Sequence, residues 1–340
     1  MHASSTAIEA LAWRGRRVLV LGASGFLGRR VAVQAAGLGA EVHAVVRDPA
    51  RAARVLARAV GGVRIHAVDL STRPTVAALL EGVGPEIVLD LSGYGVRRDE
   101  LDAGSAELLN ARVPEWIASS FPLDPDSDWT GAQIVRAGSA LEVGETAGEI
   151  READPCRPTT LYGRTKLAGT LALARASAAA GVRAITARLF NVYGPGEPPG
   201  RLFPSLVRAA RRGGPLPLTL GVQRRDFTFV EDAAEGILRL AGSPAAPGEV
   251  VHLATGRLTS VREFALATAR LLAIEEERLR FGELPAREDE LDHGPVSIAR
   301  LRVLCGWSPP ADLEDGLARA LHAIELEERQ PELADERSRP

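Results

Sequence analysis

Val18-Leu19-Val20-Leu21-Gly22-Ala23-Ser24-Gly25-Phe26-Leu27-Gly28 is the stretch on which the reading of the fold turns. Its first four residues form an apolar run too short for a helix and bounded by Arg17 and Gly22, which marks a buried strand. Three glycines follow, each three residues from the next, and Leu27, Val31, Ala35 and Leu38 then share one helical face. Such a strand–turn–helix sets a helix N-terminus at a strand end, where free N–H groups and the helix dipole favour an anion. The expectation is a dinucleotide pyrophosphate over Gly22, Gly25 and Gly28, with Ser24, Phe26 and Leu27 in the same turn.

Working outward, short apolar runs recur at Val42 to Val46, Val63 to Val68, Ile87 to Leu91, Ile134 to Ala137 and Ile185 to Leu189, with helical segments between most of them. That alternation predicts an α/β protein with a Rossmann-type, doubly wound parallel sheet. Beyond Phe190 the rhythm breaks at a Pro/Gly loop, residues 194–200. The expected division gives residues 1–190 plus about 226–254 to a dinucleotide-binding domain and 191–225 plus about 255–328 to a smaller substrate domain. Residues 329–340, charged and proline-flanked, read as a frayed tail.

Composition excludes several classes. A 46% hydrophobic content over 340 residues supports a sizeable core, and a net charge of −3 gives no reason to expect a nucleic-acid partner. Two cysteines cannot build a disulfide framework, and the six histidines show no ligand spacing, so no metal is expected. No apolar run approaches the ~18 residues of a membrane helix, and no signal-peptide core precedes the first strand, so a soluble, cytoplasmic protein is expected.

The end of the second strand distinguishes NADP(H) from NAD(H). An acid about 20 residues past the glycines would bind the ribose 2′-hydroxyl, whereas an arginine would accept a 2′-phosphate. Val46 and Arg47 occupy that end with Asp48 just beyond, so NADP(H) is favoured and NAD(H) stays open. Asp69, closing the third strand, is placed either for the adenine amino group or for a strand-end turn. Leu70 beside it, Ser92 after the fourth strand and, further on, Tyr162 and Lys166 complete the expected cofactor set.

Of 41 basic residues, 40 are arginine and one, Lys166, is lysine. A chain that otherwise always chooses arginine points, by that exception, to a place needing a compact ammonium on a flexible stem. Tyr162 lies four residues before it, on the same helical face. A free tyrosine, with a pKa near ~10, is a poor base at neutral pH; an adjacent ammonium favours the phenolate. The pair suits proton exchange in carbonyl/alcohol redox chemistry.

Gly22-x-x-Gly25-x-x-Gly28 with Tyr162-x-x-x-Lys166 resembles the short-chain dehydrogenase/reductase superfamily, and the length resembles its extended branch acting on nucleotide sugars, over roughly residues 16 to 320. By that resemblance Ser139, in Gly138-Ser139-Ala140-Leu141-Glu142-Val143-Gly144, carries the catalytic hydroxyl beside Tyr162 and Lys166, although Val143 stands where the family usually has Tyr. Arg188-Leu189-Phe190-Asn191-Val192-Tyr193-Gly194-Pro195-Gly196 and Arg225-Asp226-Phe227-Thr228-Phe229-Val230-Glu231-Asp232 are similar to the sugar-nucleotide enzymes. The resemblance implies substrate contacts from Asn191, Leu202, Phe203, Arg225 and Arg287, the two arginines as planar forks for a diphosphate. Asn110 resembles the family's helix asparagine, in a structural role.

Within that branch the reactions share hydride transfer at a sugar carbon. The 4,6-dehydratases need acids where this chain has Ala140 and Leu141, which argues against dehydration. Arg47 tips the choice to an NADPH-dependent reductase of an NDP-4-keto-6-deoxyhexose in deoxysugar biosynthesis. An NDP-sugar 4-epimerase with bound NAD is the first alternative. A reductase of a small flavonoid, steroid or polyketide ketone is the second, since Val46-Arg47-Asp48-Pro49 resembles those enzymes. A non-catalytic NADP(H)-sensing protein is the third. Leu167, Leu171 and Leu173, with Ala168, Ala172 and Ala176, offer a helix face for a homodimer.

Overall fold

The structure, a computed structural model, describes residues 8, 10–57, 62–95, 100, 102–146, 148–285 and 292–328. Strands β1 (Arg17–Leu21), β2 (Glu41–Val46), β3 (Val63–Ala67), β4 (Ile87–Asp90), β5 (Ile134–Ser139) and β6 (Ala184–Leu189) form at the apolar runs. Past β6 come β7 (Asn191–Tyr193), β8 (Leu216–Leu218), β9 (Arg224–Phe229), β10 (Glu249–Leu253), β11 (Leu258–Ser260) and β12 (Leu279–Phe281). The main sheet runs β10-β6-β5-β4-β1-β2-β3, with all pairings parallel. β1 lies between β2 and β4, with Val18 in register with Val42 on one side and Ile87 on the other. The winding therefore reverses between β1 and β4, and the carboxyl ends of the strands open a crevice there.

Helices cover both faces, which is why the strands read as nearly unbroken apolar runs. The Phe26–Gly37 and Val230–Ala241 helices close one core with Val18, Val20, Val42 and Ile237. Arg73–Val83, Val113–Ser119 and Leu161–Ala180 close the other with Leu19, Leu21, Val88 and Leu173. Among the described residues no helix is long and apolar enough to cross a membrane.

Within about 226–254, the stretch assigned to the dinucleotide-binding domain, not every element returns to the main sheet. β9 instead joins a three-stranded sheet, parallel to β7 and antiparallel to β11, and only the Val230–Ala241 helix and β10 go back. A buried carboxylate explains the departure: Asp226 in β9 accepts hydrogen bonds from Thr255 N (2.9 Å), Thr255 Oγ1 (3.0 Å) and Gly256 N (2.8 Å), fastening β9 to the loop after β10. Burial raises the Asp226 carboxyl to about 6 despite these donors. Beside it Tyr193, Phe203, Phe227, Phe229 and Phe264 make an aromatic core, with Phe227 stacked on Phe264 at 4.2 Å.

Near the crevice a helix departs from regular geometry. After Ala103–Glu107 it widens into a π-helical turn, Leu108–Arg112, before continuing as Val113–Ser119. Pro114 has no N–H to offer the carbonyl of Asn110 four residues back, and its ring crowds that carbonyl. Arg136 Nη2 donates to Asn110 O instead, at 2.7 Å. The facing position on the Leu161–Ala180 helix must be glycine, because a Cβ on Gly169 would overlap Asn110 O. Gly169→Ala is expected to cost about 2 kcal/mol or more in urea unfolding, since backbone atoms block the methyl group. Gly82→Ala, in an open helical position, should instead stabilise by about 0.5 kcal/mol.

Candidate active site

Gly22 follows β1 with φ +70°, and a Cβ there would stand 2.6 Å from Leu91 O. A Cβ on Gly28 would overlap Gly22 O, so the helix starts directly against the turn. Its N-cap, Gly25, provides no side-chain hydrogen bond, which leaves the first N–H groups to a ligand. The exposed backbone at Gly25, together with those donors, fits a dinucleotide pyrophosphate. Ser24, Phe26 and Leu27 are partly exposed around the turn. Ser92 is held at the end of β4, its N (3.1 Å) and Oγ (2.6 Å) donating to Asp90 Oδ1.

Local capping separates Arg47 from Asp48. Asp48 N-caps the Pro49–Val55 helix, its Oδ1 accepting from Arg51 N at 2.9 Å, while Arg47 is exposed at the end of β2. Arg51 and Arg30 are near enough for their charges to lower the Arg29 guanidinium, which burial lowers most. Asp69 is exposed and turns its Oδ1 to Ser71 N (3.1 Å), the strand-end turn weighed for it; Leu70 behind it is buried.

Ser139 ends β5 and Tyr162 opens the long helix, whose N-cap Thr160 accepts from Gly163 N at 3.0 Å. The Ser139 hydroxyl, which accepts from Leu141 N at 3.2 Å, is near enough to the Tyr162 phenol to favour its phenolate slightly. Lys166, one turn on, is buried; its Nζ donates to Ala137 O (2.9 Å) and lies 5.9 Å from the Tyr162 ring centre. Asn110 secures the helix, donating to Thr165 Oγ1 (3.0 Å) and Tyr94 O (2.8 Å).

Burial is the largest influence on both members of the pair. Loss of hydration pushes Tyr162 up to about 12, and the charges that favour its phenolate are Arg136 and Arg201, with Glu142 opposing. Burial also drives Lys166 down to about 7, with Arg136 lowering it further while Asp90 and Glu142 raise it. Arg136 and Glu142 escaped sequence reasoning. An arginine inside an otherwise apolar or small-residue strand was the available signal for the first.

On the substrate side Asn191, partly exposed, begins β7 directly after β6, in register with Phe227. Arg225 is partly exposed on β9, one Nη donating to Arg224 O at 3.1 Å. Leu202 is partly buried, whereas Phe203 lies inside the aromatic core against Tyr193 and supports the cleft wall from behind, so it does not present its ring as a surface. Arg287 lies outside the described residues. The loop after β7 is tied to the cofactor-side helix, with Arg29 (2.6 Å) and Arg30 (3.1 Å) both donating to Pro195 O. Glu197 in that loop is buried, which raises its carboxyl to about 7, and it accepts from Arg201 Nε at 3.3 Å. Among the described residues no cluster of His, Cys, Asp or Glu could hold a metal ion.

Comparison with known proteins agrees with this geometry. Residues 18–254 match the profile of the NAD dependent epimerase/dehydratase family. The chain is 28% identical over 317 residues to dTDP-6-deoxy-L-talose 4-dehydrogenase (NAD(P)(+)) of Kitasatospora kifunensis, covering 88% of this chain and 93% of that one. It is 27% identical to dTDP-L-rhamnose 4-epimerase of Burkholderia thailandensis, covering 89% and 93%. Its structure superposes on MoeE5 in complex with UDP-glucose and NAD with a TM-score of 0.77 at 25% identity, covering 92% and 99%. Gly28→Ala, which puts a methyl group into the Gly22 carbonyl, should weaken binding of reduced dinucleotide at least tenfold (about 1.4 kcal/mol) in a fluorescence titration while the far-UV spectrum is kept.

Proposed function

Because the chain belongs to the NAD dependent epimerase/dehydratase family, we propose that it is an NADPH-dependent ketoreductase acting on the C4 carbonyl of a nucleotide-activated 4-keto-6-deoxysugar. The observation that supports this reading is that Ser139 ends β5 while Lys166, buried 5.9 Å from the Tyr162 ring centre, bonds Ala137 O of the same strand. Gly22, Gly25 and Gly28 would hold the pyrophosphate, and Arg47, unencumbered by the capping Asp48, would meet a 2′-phosphate. The dinucleotide, when bound, supplies the hydride.

The chain's own groups handle the proton. A phenol whose pKa is pushed up to about 12 is fully protonated at neutral pH, so Tyr162 is poised as the acid for a carbonyl oxygen that is gaining negative charge. Ser139 would orient that oxygen by a second hydrogen bond. Lys166, near its midpoint at neutral pH, can return a proton toward the phenolate that Tyr162 leaves. Glu142 lies next to Ala140 and Leu141 but is wholly buried, both its oxygens accepting protein hydrogen bonds, so it does not supply the acid that dehydration needs. Asn191 and Arg225 would face the nucleotide end of the substrate, with the three-stranded sheet behind them. Of the helix face offered for a homodimer, Leu171 is exposed and Leu167, Ala168 and Ala176 are partly exposed, whereas Ala172 and Leu173 are buried.

The similarity to the dTDP-L-rhamnose 4-epimerase supports a second reading, an NDP-sugar 4-epimerase that retains NAD. Incubation with NADPH and a panel of NDP-4-keto-6-deoxysugars separates the two. A reductase consumes the reduced-nicotinamide absorbance in proportion to substrate, whereas an epimerase interconverts NDP-hexoses with no added dinucleotide and no net loss of absorbance. In the active assay Tyr162→Phe should lower turnover by ~100-fold or more with dinucleotide affinity unchanged. Arg47→Ala should shrink the ratio of NADPH to NADH affinity about tenfold, the loss of one charge-assisted contact; an unchanged ratio would remove the NADP preference from the proposal.

A further inference from the structure

Beneath Ser139, Tyr162 and Lys166 lies a layer of buried charge. Arg136, on β5 between Val135 and Ala137, is 1% exposed. Its Nη1 donates to Thr170 Oγ1 (3.1 Å), and its Nη2 to Asn110 O (2.7 Å) and Lys166 O (3.3 Å). Thr170 passes the polarity on, donating to Glu142 Oε2 at 2.9 Å, while Glu142 Oε1 accepts from Ser139 N at 2.8 Å. Glu142 also faces Arg188 at 3.4 Å, and Arg188 meets His252 Nε2 at 3.2 Å. Among the described residues Arg136 reaches its nearest carboxylate only through a hydroxyl.

A guanidinium keeps its charge in proteins, and burying one costs several kcal/mol unless its partners are excellent. An apolar residue would satisfy the strand. We infer that Arg136 is a positioning residue for the reaction, holding the Tyr162–Lys166 helix against β5 and biasing the protonation of both side chains with a fixed positive charge. This rests on the reading of Tyr162 and Lys166 as the proton-handling pair. The other groups facing them are few. Glu142 acts on both; Asp90, from β4, acts on Lys166, and Arg201 with the Ser139 hydroxyl acts on Tyr162. Arg136 is the foremost charge on each, disfavouring the ammonium and favouring the phenolate that remains after Tyr162 has given its proton. Glu142 supplies the opposite influence and, through Ser139 N, sets the serine.

The chain's only lysine makes the charge directly observable. With ¹³C,¹⁵N-lysine incorporated, this chain yields a single lysine Cε–Nζ signal, whose pH midpoint is that of Lys166. Arg136→Met should move this midpoint up by about one pH unit. Glu142→Gln should move it down, because a negative neighbour is lost. A purely structural role predicts that both variants loosen the site and send the midpoint upward. Arg136→Gln keeps an amide donor without the charge and stands in if Arg136→Met does not fold. An unmoved midpoint in a folded Arg136 variant, or an upward move in both Arg136→Met and Glu142→Gln, overturns the inference. Failure of the underlying reading looks different: Tyr162→Phe would then keep full turnover, while the lysine midpoints still shifted with the sign of the charge removed.

Discussion

The contact between Asn110 O, Arg136 and the bare backbone at Gly169 is the constraint on which the site depends. Pro114 leaves that carbonyl without its usual helical donor, the π-turn swings Asn110 inward, and glycine lets the long helix come close enough to use the space. Only with the two helices at this separation do Asn110 and Thr165 meet and does Lys166 reach Ala137 O. The proton-handling groups sit on regular elements, a strand end and the first two turns of a helix. Their placement is inherited from packing and is not left to a loop.

Some of this was legible in the amino-acid order. A four-residue apolar run followed by three spaced glycines specifies β1, the turn and the next helix, because few arrangements satisfy all three together. Tyr162 and Lys166 were legible since helical periodicity joins residues four apart. Partners distant along the chain were not. Arg136 depends on Pro114, Asn110, Lys166 and Thr170, which spacing rules do not connect. The sheet that β9 joins is not legible in sequence because a short strand's apolar pattern does not name its neighbour; Asp226, binding Thr255 and Gly256, does. Phe203 illustrates the remaining ambiguity: in sequence a phenylalanine opening a helix can line a cleft or fill a core, and here Tyr193 and its aromatic neighbours draw it inward.

The cofactor side and the substrate side are joined by unusually directional contacts. Arg30 pairs with Glu231 (3.1 Å) and Glu327 (2.5 Å) while donating to Pro195 O, and Gln34 reaches Glu231 from the next turn. The helix that begins at the glycine turn is thus bonded to the loop after β7, to the start of the Val230–Ala241 helix and to the last described helix. These ion pairs are partly shielded from water, so they lose less to screening than exposed pairs do.

The order of the main sheet also bears on how the chain reaches its native state. β10 is the outermost strand beside β6, yet some sixty residues separate them, and the smaller sheet is built from the segment between and just after. During synthesis β6 therefore emerges with one hydrogen-bonding edge open, and its partner appears only when Glu249–Leu253 has left the ribosome. An open edge of alanine, isoleucine, threonine and leucine is a template for wrong pairing. The charge of Arg188, buried in the folded protein, interrupts the apolar run of that strand and so opposes such capture.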